Sequence, residues 1–428
     1  MEGDNYLSKR TIKFSTLLVI LSPFLGTYKI PYTPITIAEG GFTLLTVLFI
    51  IYLFRKRKFF LIREVKYYLT FIVYILFVSI LVRGFLFEQI DNDFIFKWGQ
   101  FLVYSMPIIF LSRNMFDFGF AVKYYTIITM LFSILVIIQF LSYNLFHFQL
   151  EGLIPFLNLN YPIESVAEYH QTIAMTGLYR PSSVFIEPAH FAQYASIGLA
   201  LELFFVEKIR KSRKITAFII TVSIFLSGSG IGFVLVFVNW MIWFYREYLK
   251  RLQIVKGYFV FFVGLIAISI FLSQTSFFEN FLYRVSTIGE STSSTGSLRV
   301  LRGYNIFLTE SHTFKIFGIG LGNVGSYLRM YGIRTPYDGQ LELGNEYMNS
   351  LSYILVISGI IGFIIFTVFL ISIFRRISIG ERVILIDLIV LMSVSAIFLN
   401  PIYTVCFVLI LASPYNRTIS KIEGVDAI

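Results

Sequence analysis

The chain has 428 residues, 57% of them hydrophobic and 14% charged, with a formal net charge of +10. Apolar runs of membrane-spanning length recur from end to end, which points to a polytopic integral membrane protein and away from a soluble enzyme. The runs are too long and too unbroken for the alternating strands of an outer-membrane barrel, so an all-α bundle is expected, and the lone Cys406 excludes a disulfide framework or a multi-cysteine metal site.

In chain order, about 12 transmembrane helices are expected, at 14–28, 35–54, 67–87, 94–112, 119–142, 189–206, 215–228, 230–245, 256–274, 347–374, 382–399 and 402–414. The first run follows Lys9, Arg10 and Lys13 as a signal peptide would. No small-residue cleavage site follows it and Pro23 interrupts it, so it reads as an uncleaved span. With both termini cytoplasmic, the basic clusters "RKRK" from Arg55, "EKIRKSRK" from Glu207, "YREYLKR" from Tyr245 and "RR" from Arg375 all fall inside. That asymmetry is the positive-inside rule. The basicity therefore records orientation and attraction to anionic lipid headgroups rather than nucleic-acid binding.

Two segments, 143–187 and 275–346, are too long for tight connections and are expected outside, attached to a single membrane domain covering 1–428. The first ends in "YRPSSVFIEPAHFAQYA", which sets Arg180, Glu187 and His190 at the mouth of an apolar run. Pro188 suits the first position of a helix, which makes Glu187 the N-cap and puts His190 in the first turn. Plain capping assisted by the helix dipole is the alternative to a chemical role. Arg180 is the one basic residue in a segment that also carries Glu151, Glu164 and Glu168, so something has to place it. Further on, two short apolar runs meet at "LSGSGIGF". They read either as a tight helical hairpin or as broken helix ends facing a polar cavity.

The second segment opens with "STSSTGS" and continues into "LRVLRGYNIFLTE", whose apolar spacing suits a short helix capped by Ser297, making this segment a partly helical cap. Arg299 and Arg302 share one face of that helix, where two guanidinium groups could grip a phosphate or diphosphate with forked hydrogen bonds. The alternative is a solvated basic face, because six Lys or Arg and six Asp or Glu share the segment. "GIGLGN", from Gly318, lacks the dinucleotide-loop spacing and reads as a turn. "GNEYMNSLSYILVISGIIGFIIF" brings Asn345 and Glu346 to the start of another span. His147, His170 and His312 form no metal motif, and no metal or other cofactor is expected.

These stretches, in this order along essentially the whole chain, resemble the bacterial O-antigen and capsular polysaccharide polymerase (Wzy-type) family, within the wider polymerase and ligase superfamily. Related O-antigen ligases carry a His-Asn pair before the late span, where this sequence has Gly344 and Asn345, so polymerase is the preferred reading. The resemblance implies glycosyl transfer at the outer face of the plasma membrane. The donor would be an undecaprenyl-diphosphate-linked glycan and the acceptor another lipid-linked repeat unit, with membrane lipids and a chain-length regulator protein as further partners. Arg180, Arg299 and Arg302, with Asn345, would hold the substrate and its diphosphate. Glu187, His190 or Glu346 would take the acceptor proton, a role left open among the three. Two rivals remain: a ligase moving glycan to a different acceptor, and a flippase or secondary transporter, for which Glu39, Glu202 and Asp387 within spans are the suspects.

Overall fold

The computed structural model describes residues 9–56, 62–87, 92–160, 179–205, 212–247, 295–338 and 341–413. The expected span at 256–274 lies outside them, as do Glu164, Glu168 and His170. Among the described residues the helices are α1 Lys9–Leu25, α2 Ile37–Lys56, α3 Arg63–Leu86, α4 Asn92–Asn114, α5 Phe118–Phe146, α6 Pro188–Phe204, α7 Ser212–Leu226, α8 Gly230–Glu247, α9 Thr295–Thr309, α10 His312–Phe317, α11 Val324–Met330, α12 Ser350–Phe374, α13 Ile379–Val394 and α14 Pro401–Ala412. Sheet is confined to one antiparallel pairing, β1 Tyr28–Lys29 with β2 Asn158–Leu159.

Every expected apolar run within the described residues coincides with a helix, but the expected count of about 12 spans is not supported. Four of these helices are long and apolar enough to cross a membrane: Arg63–Leu86, Asn92–Leu111, Phe118–Phe146 and Ser350–Phe374. They mark the chain as a membrane protein by length and composition. Length alone excludes the shortest of the others: an α-helix rises only ~1.5 Å per residue, so the 12 residues of α14 reach roughly 18 Å against a hydrocarbon core of about 30 Å. All of α14 from Pro401 to Ala412 is buried within protein. Its uniform apolarity is that of an interior helix.

The described residues belong to two compact units, one of residues 1–121, 157–160 and 297–428, the other of 122–156 and 161–296. In the first, α3 lies along α12, and α14 packs on α1, α4 and α13. Rings fill the interior: Tyr68 lies 5.0 Å from Phe369, which lies 5.2 Å from Phe407. Glu39, one of the residues a transporter reading would use, turns out to build α2. Its carboxylate accepts from Thr36 N (2.7 Å) while Thr36 Oγ1 accepts from Glu39 N (3.1 Å), a reciprocal capping box. Gln100 Nε2 and the Tyr104 hydroxyl also donate to it, tying α2 to α4.

The turn "GIGLGN" does more than reverse the chain. Helix α12 is interrupted at Gly359, whose φ of 59° and ψ of −169° leave two carbonyls without their helical donors. Ile319 N donates to Val356 O (3.0 Å) and Gly320 N to Ile357 O (2.9 Å). The approach is close enough that a Cβ on Gly318 would stand 2.4 Å from Ile357 O and one on Gly359 2.4 Å from Ile316 O. On its other side the segment touches α3, where Ser79 Oγ accepts from Leu321 N and Ser79 O accepts from Asn323 Nδ2.

In the second unit α6 packs against α7 and α8, and it is buried from Phe191 to Phe204. Tyr125 of α5 stacks on Tyr194 at 4.4 Å and donates its hydroxyl to Tyr194 O. "LSGSGIGF" forms the tight hairpin: α7 ends at Leu226, Gly228 turns the chain at φ 67°, and Ser229 Oγ accepts from Gly232 N at the start of α8.

Candidate functional site

In the first unit, α9 carries both arginines of the "LRVLR" stretch. It begins at Thr295, two residues before the expected cap, so Ser297 lies buried in its first turn. Gly303 lets α9 press against the start of α12, since a Cβ there would stand 2.0 Å from Ser352 Oγ. Asn349, rather than Glu346 or Asn345, caps α12: its side-chain oxygen accepts from Ser352 N (2.9 Å), and its Nδ2 donates to the carbonyls of Arg299 and Val300. One asparagine thus ends the loop and fastens it to α9.

Arg302 and Arg299 have different surroundings one turn apart. Arg302 is 2% exposed, and all three of its nitrogens are engaged: Nε with Asp338 (2.5 Å), Nη1 with Tyr347 O (2.8 Å) and Nη2 with Asn345 O (2.8 Å). Burial alone would raise Asp338, but the Arg302 hydrogen bond and those from Thr335 hold its carboxyl below the usual carboxylate range. Arg302 therefore works as a rivet through the loop that precedes α12, with Asn345 Oδ1 adding a bond from Tyr347 N. Arg299 is half-buried, lies over the Tyr347 ring at 5.9 Å, and its Nε finds no partner among the described residues. Of the pair, Arg299 has the donor capacity for an incoming anion.

Glu346 sits four positions ahead of α12 and gathers three donors. Gly325 N, in the first turn of α11, donates to Oε1 (3.0 Å); the Tyr353 hydroxyl donates to Oε2 (3.0 Å); and Lys97 Nζ of α4 stands 3.4 Å from Oε2. Gly325 has to be glycine, because a Cβ would meet Gly344 O at 2.8 Å and Glu346 Oε1 at 3.0 Å. Lys97, Tyr353 and Asp338 belong to the site although no local spacing singles them out.

In the second unit, Arg180 is placed as its isolation requires, with Nη2 donating to Gly228 O at the hairpin turn (2.7 Å). The segment between is held from behind. Gln139 of α5 accepts from Ser183 N (2.8 Å) and donates to Ser183 O (3.0 Å), and Phe185 meets Phe132 edge-on at 5.7 Å. Ser183 adopts φ 57°, a left-handed conformation that this bracing enforces. Glu187 then stands in extended conformation as the N-cap with Pro188 at the first helical position, and its backbone carbonyl accepts from His190 N (3.0 Å). Its side chain makes no capping bond. Glu187 thus stands at the expected N-cap position, but the alternative of plain capping by its carboxylate is not what the side chain does.

One further acid, absent from the expected set, lies after α9. Glu310 is 3% exposed, and neither carboxyl oxygen has a hydrogen-bond partner among the described residues. Burial pushes it up to about 9, against a weaker downward pull from Lys315. No protein-family model matches this sequence, and comparison with characterised proteins finds no match.

Proposed function

We propose that this chain is a polymerase of lipid-linked glycans, acting on undecaprenyl-diphosphate-linked repeat units at the outer face of the plasma membrane. The observation that carries the reading is the joining of "LRVLRGYNIFLTE" to "NEYMNSLSYILVI". Two of the stretches behind the resemblance, far apart in sequence, are sewn into one polar structure at the head of α12 by Arg302 and Asn349. A headgroup site at the end of an apolar helix suits a substrate whose diphosphate lies at the interface and whose polyprenyl tail lies in the bilayer.

In the reaction, an acceptor hydroxyl attacks the anomeric carbon of the donor. A base receives its proton, the bond from that carbon to the diphosphate oxygen breaks, and the lipid diphosphate leaves with the electron pair. Arg299 offers its guanidinium to the developing negative charge, a role that electrostatic preorganisation makes effective away from bulk water. Arg302 and Asn345 hold the loop, and Glu346 orients Lys97 and α11, since its oxygens are already occupied by three donors. In the second unit, Arg180 has its orientation fixed by the hairpin carbonyl. Glu187 and His190, at the head of α6, remain the candidates for the base. The basic clusters orient the chain with both termini cytoplasmic.

The test is to combine the purified full-length protein with lipid-linked repeat units. A ladder of lipid-linked lengths supports polymerisation. Glycan appearing on a different acceptor assigns the chain to ligases, and transbilayer movement without new bonds assigns it to flippases.

A further inference from the structure

We infer that α10 and the glycine segment behind it form a re-entrant element that dips into the bilayer, its exposed apolar face covered by lipid acyl chains. This inference rests on the membrane-spanning character of α3 and α12 and is independent of the polymerase reading.

The depth follows from what the element touches. Gly359 is the tenth residue of α12, about 14 Å along that helix at ~1.5 Å per residue, close to half of a hydrocarbon core roughly 30 Å thick. Ile319 and Gly320 bond to the carbonyls exposed at that break. On α3, the Tyr74 hydroxyl donates to Phe317 O (2.9 Å), and Tyr74 sits opposite Gly362 of α12, where a Cβ would stand 2.7 Å from its ring. Phe317 therefore lies level with the middle of two spanning helices.

At that level the only backbone a bilayer tolerates is one whose polar groups are satisfied internally. The four N–H groups from Gly318 to Leu321 meet this condition: Gly318 N bonds to Phe314 O, Ile319 N and Gly320 N bond to α12, and Leu321 N bonds to Ser79 Oγ. Its inward side chains, Ile319, Leu321 and Val324, are fully buried. Its outward ones are not: Ile316 is 44% and Phe317 48% exposed. They continue the exposed apolar faces of the neighbouring helices, formed by Val73 and Phe77 on α3 and by Ile360 and Ile364 on α12.

The test uses the full chain with Cys406→Ala, reconstituted in phosphatidylcholine vesicles and spin-labelled at single cysteines introduced as Ile316→Cys and Phe317→Cys. Val73→Cys supplies the lipid-facing reference and Glu342→Cys the loop reference. Labels at 316 and 317 are expected to relax strongly with oxygen and weakly with a nickel chelate, as at 73, with the opposite order at 342. Nickel accessibility at 316 and 317 equal to that at 342 would place the face in water and overturn the proposal. Low accessibility to both reagents would also overturn it, by showing that protein covers the face, whether another segment of this chain or a second copy. Both positions are exposed, so either variant alone suffices if the other fails to fold.

Discussion

Glu187 before α6 and Glu346 before α12 occupy similar settings in the sequence, each an acid at the foot of a long apolar run, yet the structure uses them differently. Glu346 does not cap its helix: Asn349 takes over the capping, and the carboxylate collects Tyr353 from α12 itself, Gly325 from α11 and Lys97 from α4. Glu187 stays at the cap position but makes no side-chain capping bond, on a segment braced from behind by Gln139. The lesson is that an acid near a helix start is not defined by the helix dipole. Which donors the rest of the fold brings to it decides whether it caps its helix or fastens a loop.

The strongest way to break this contrast is through the two arginines that fix the loops. Arg302→Ala leaves Asp338 buried without its counter-charge and should cost about 3–5 kcal/mol. Arg180→Ala loses the charged hydrogen bond to Gly228 O, a contact worth roughly 1.5–3 kcal/mol. Unfolding in detergent by denaturant reads both. Equal losses would mean that Arg302 is no rivet.

A third glutamate sharpens the comparison through pH. Glu310 has its folded value raised to about 9 from an ordinary 4.5, so the folded state favours the neutral carboxyl. That stabilisation is complete below pH 4.5 and is lost as pH rises towards 9, because the unfolded chain gives up its proton first. Glu310→Gln, which cannot ionise, should therefore be more stable than the wild type by on the order of 2–3 kcal/mol at pH 7, with no such advantage at pH 4. Melting temperatures across that range check the sign. A gap that does not change with pH would remove Glu310 from the titrating groups.

Smaller effects follow at the caps. Asn349→Ala should cost about 1–2 kcal/mol, because it removes the α12 cap and the tie to α9 together. Glu187→Gln, which removes no capping bond, should cost less than Asn349→Ala. The same unfolding assay distinguishes them, and a Glu187→Gln loss as large as that of Asn349→Ala would make Glu187 a structural cap after all.

Much of this was legible in the sequence, for reasons that are local. Apolar runs marked the helices, Pro188 set the start of α6, and the glycine-serine run marked the α7–α8 hairpin. The capping box at Thr36 and Glu39 was legible too, as a T-x-x-E pattern, although its place inside an apolar run draws attention to the charge instead. The rest depends on tertiary meetings. Lys97 and Tyr353 meet at Glu346 from different helices, and nothing in their own neighbourhoods announces it. The glycines of "GIGLGN" signal a turn in any setting. Only the break at Gly359, invisible in a continuous apolar run, gives their backbone donors somewhere to go. Run length also does not separate spanning from interior helices, because a buried helix such as α14 is as uniformly apolar as a spanning one.

The most direct test of the account is single-turnover elongation of lipid-linked repeat units by purified wild type, Arg299→Lys, Glu187→Gln and His190→Gln, each shown to be folded. Lysine keeps the charge at 299 and loses the fork. The account predicts a ladder from the wild type, at least a tenfold slower ladder from Arg299→Lys, and a loss of ~10²-fold or more from Glu187→Gln if that carboxylate is the base, or from His190→Gln if it is not. Absence of elongation by the folded wild type, or wild-type rates from all of these variants, would contradict it.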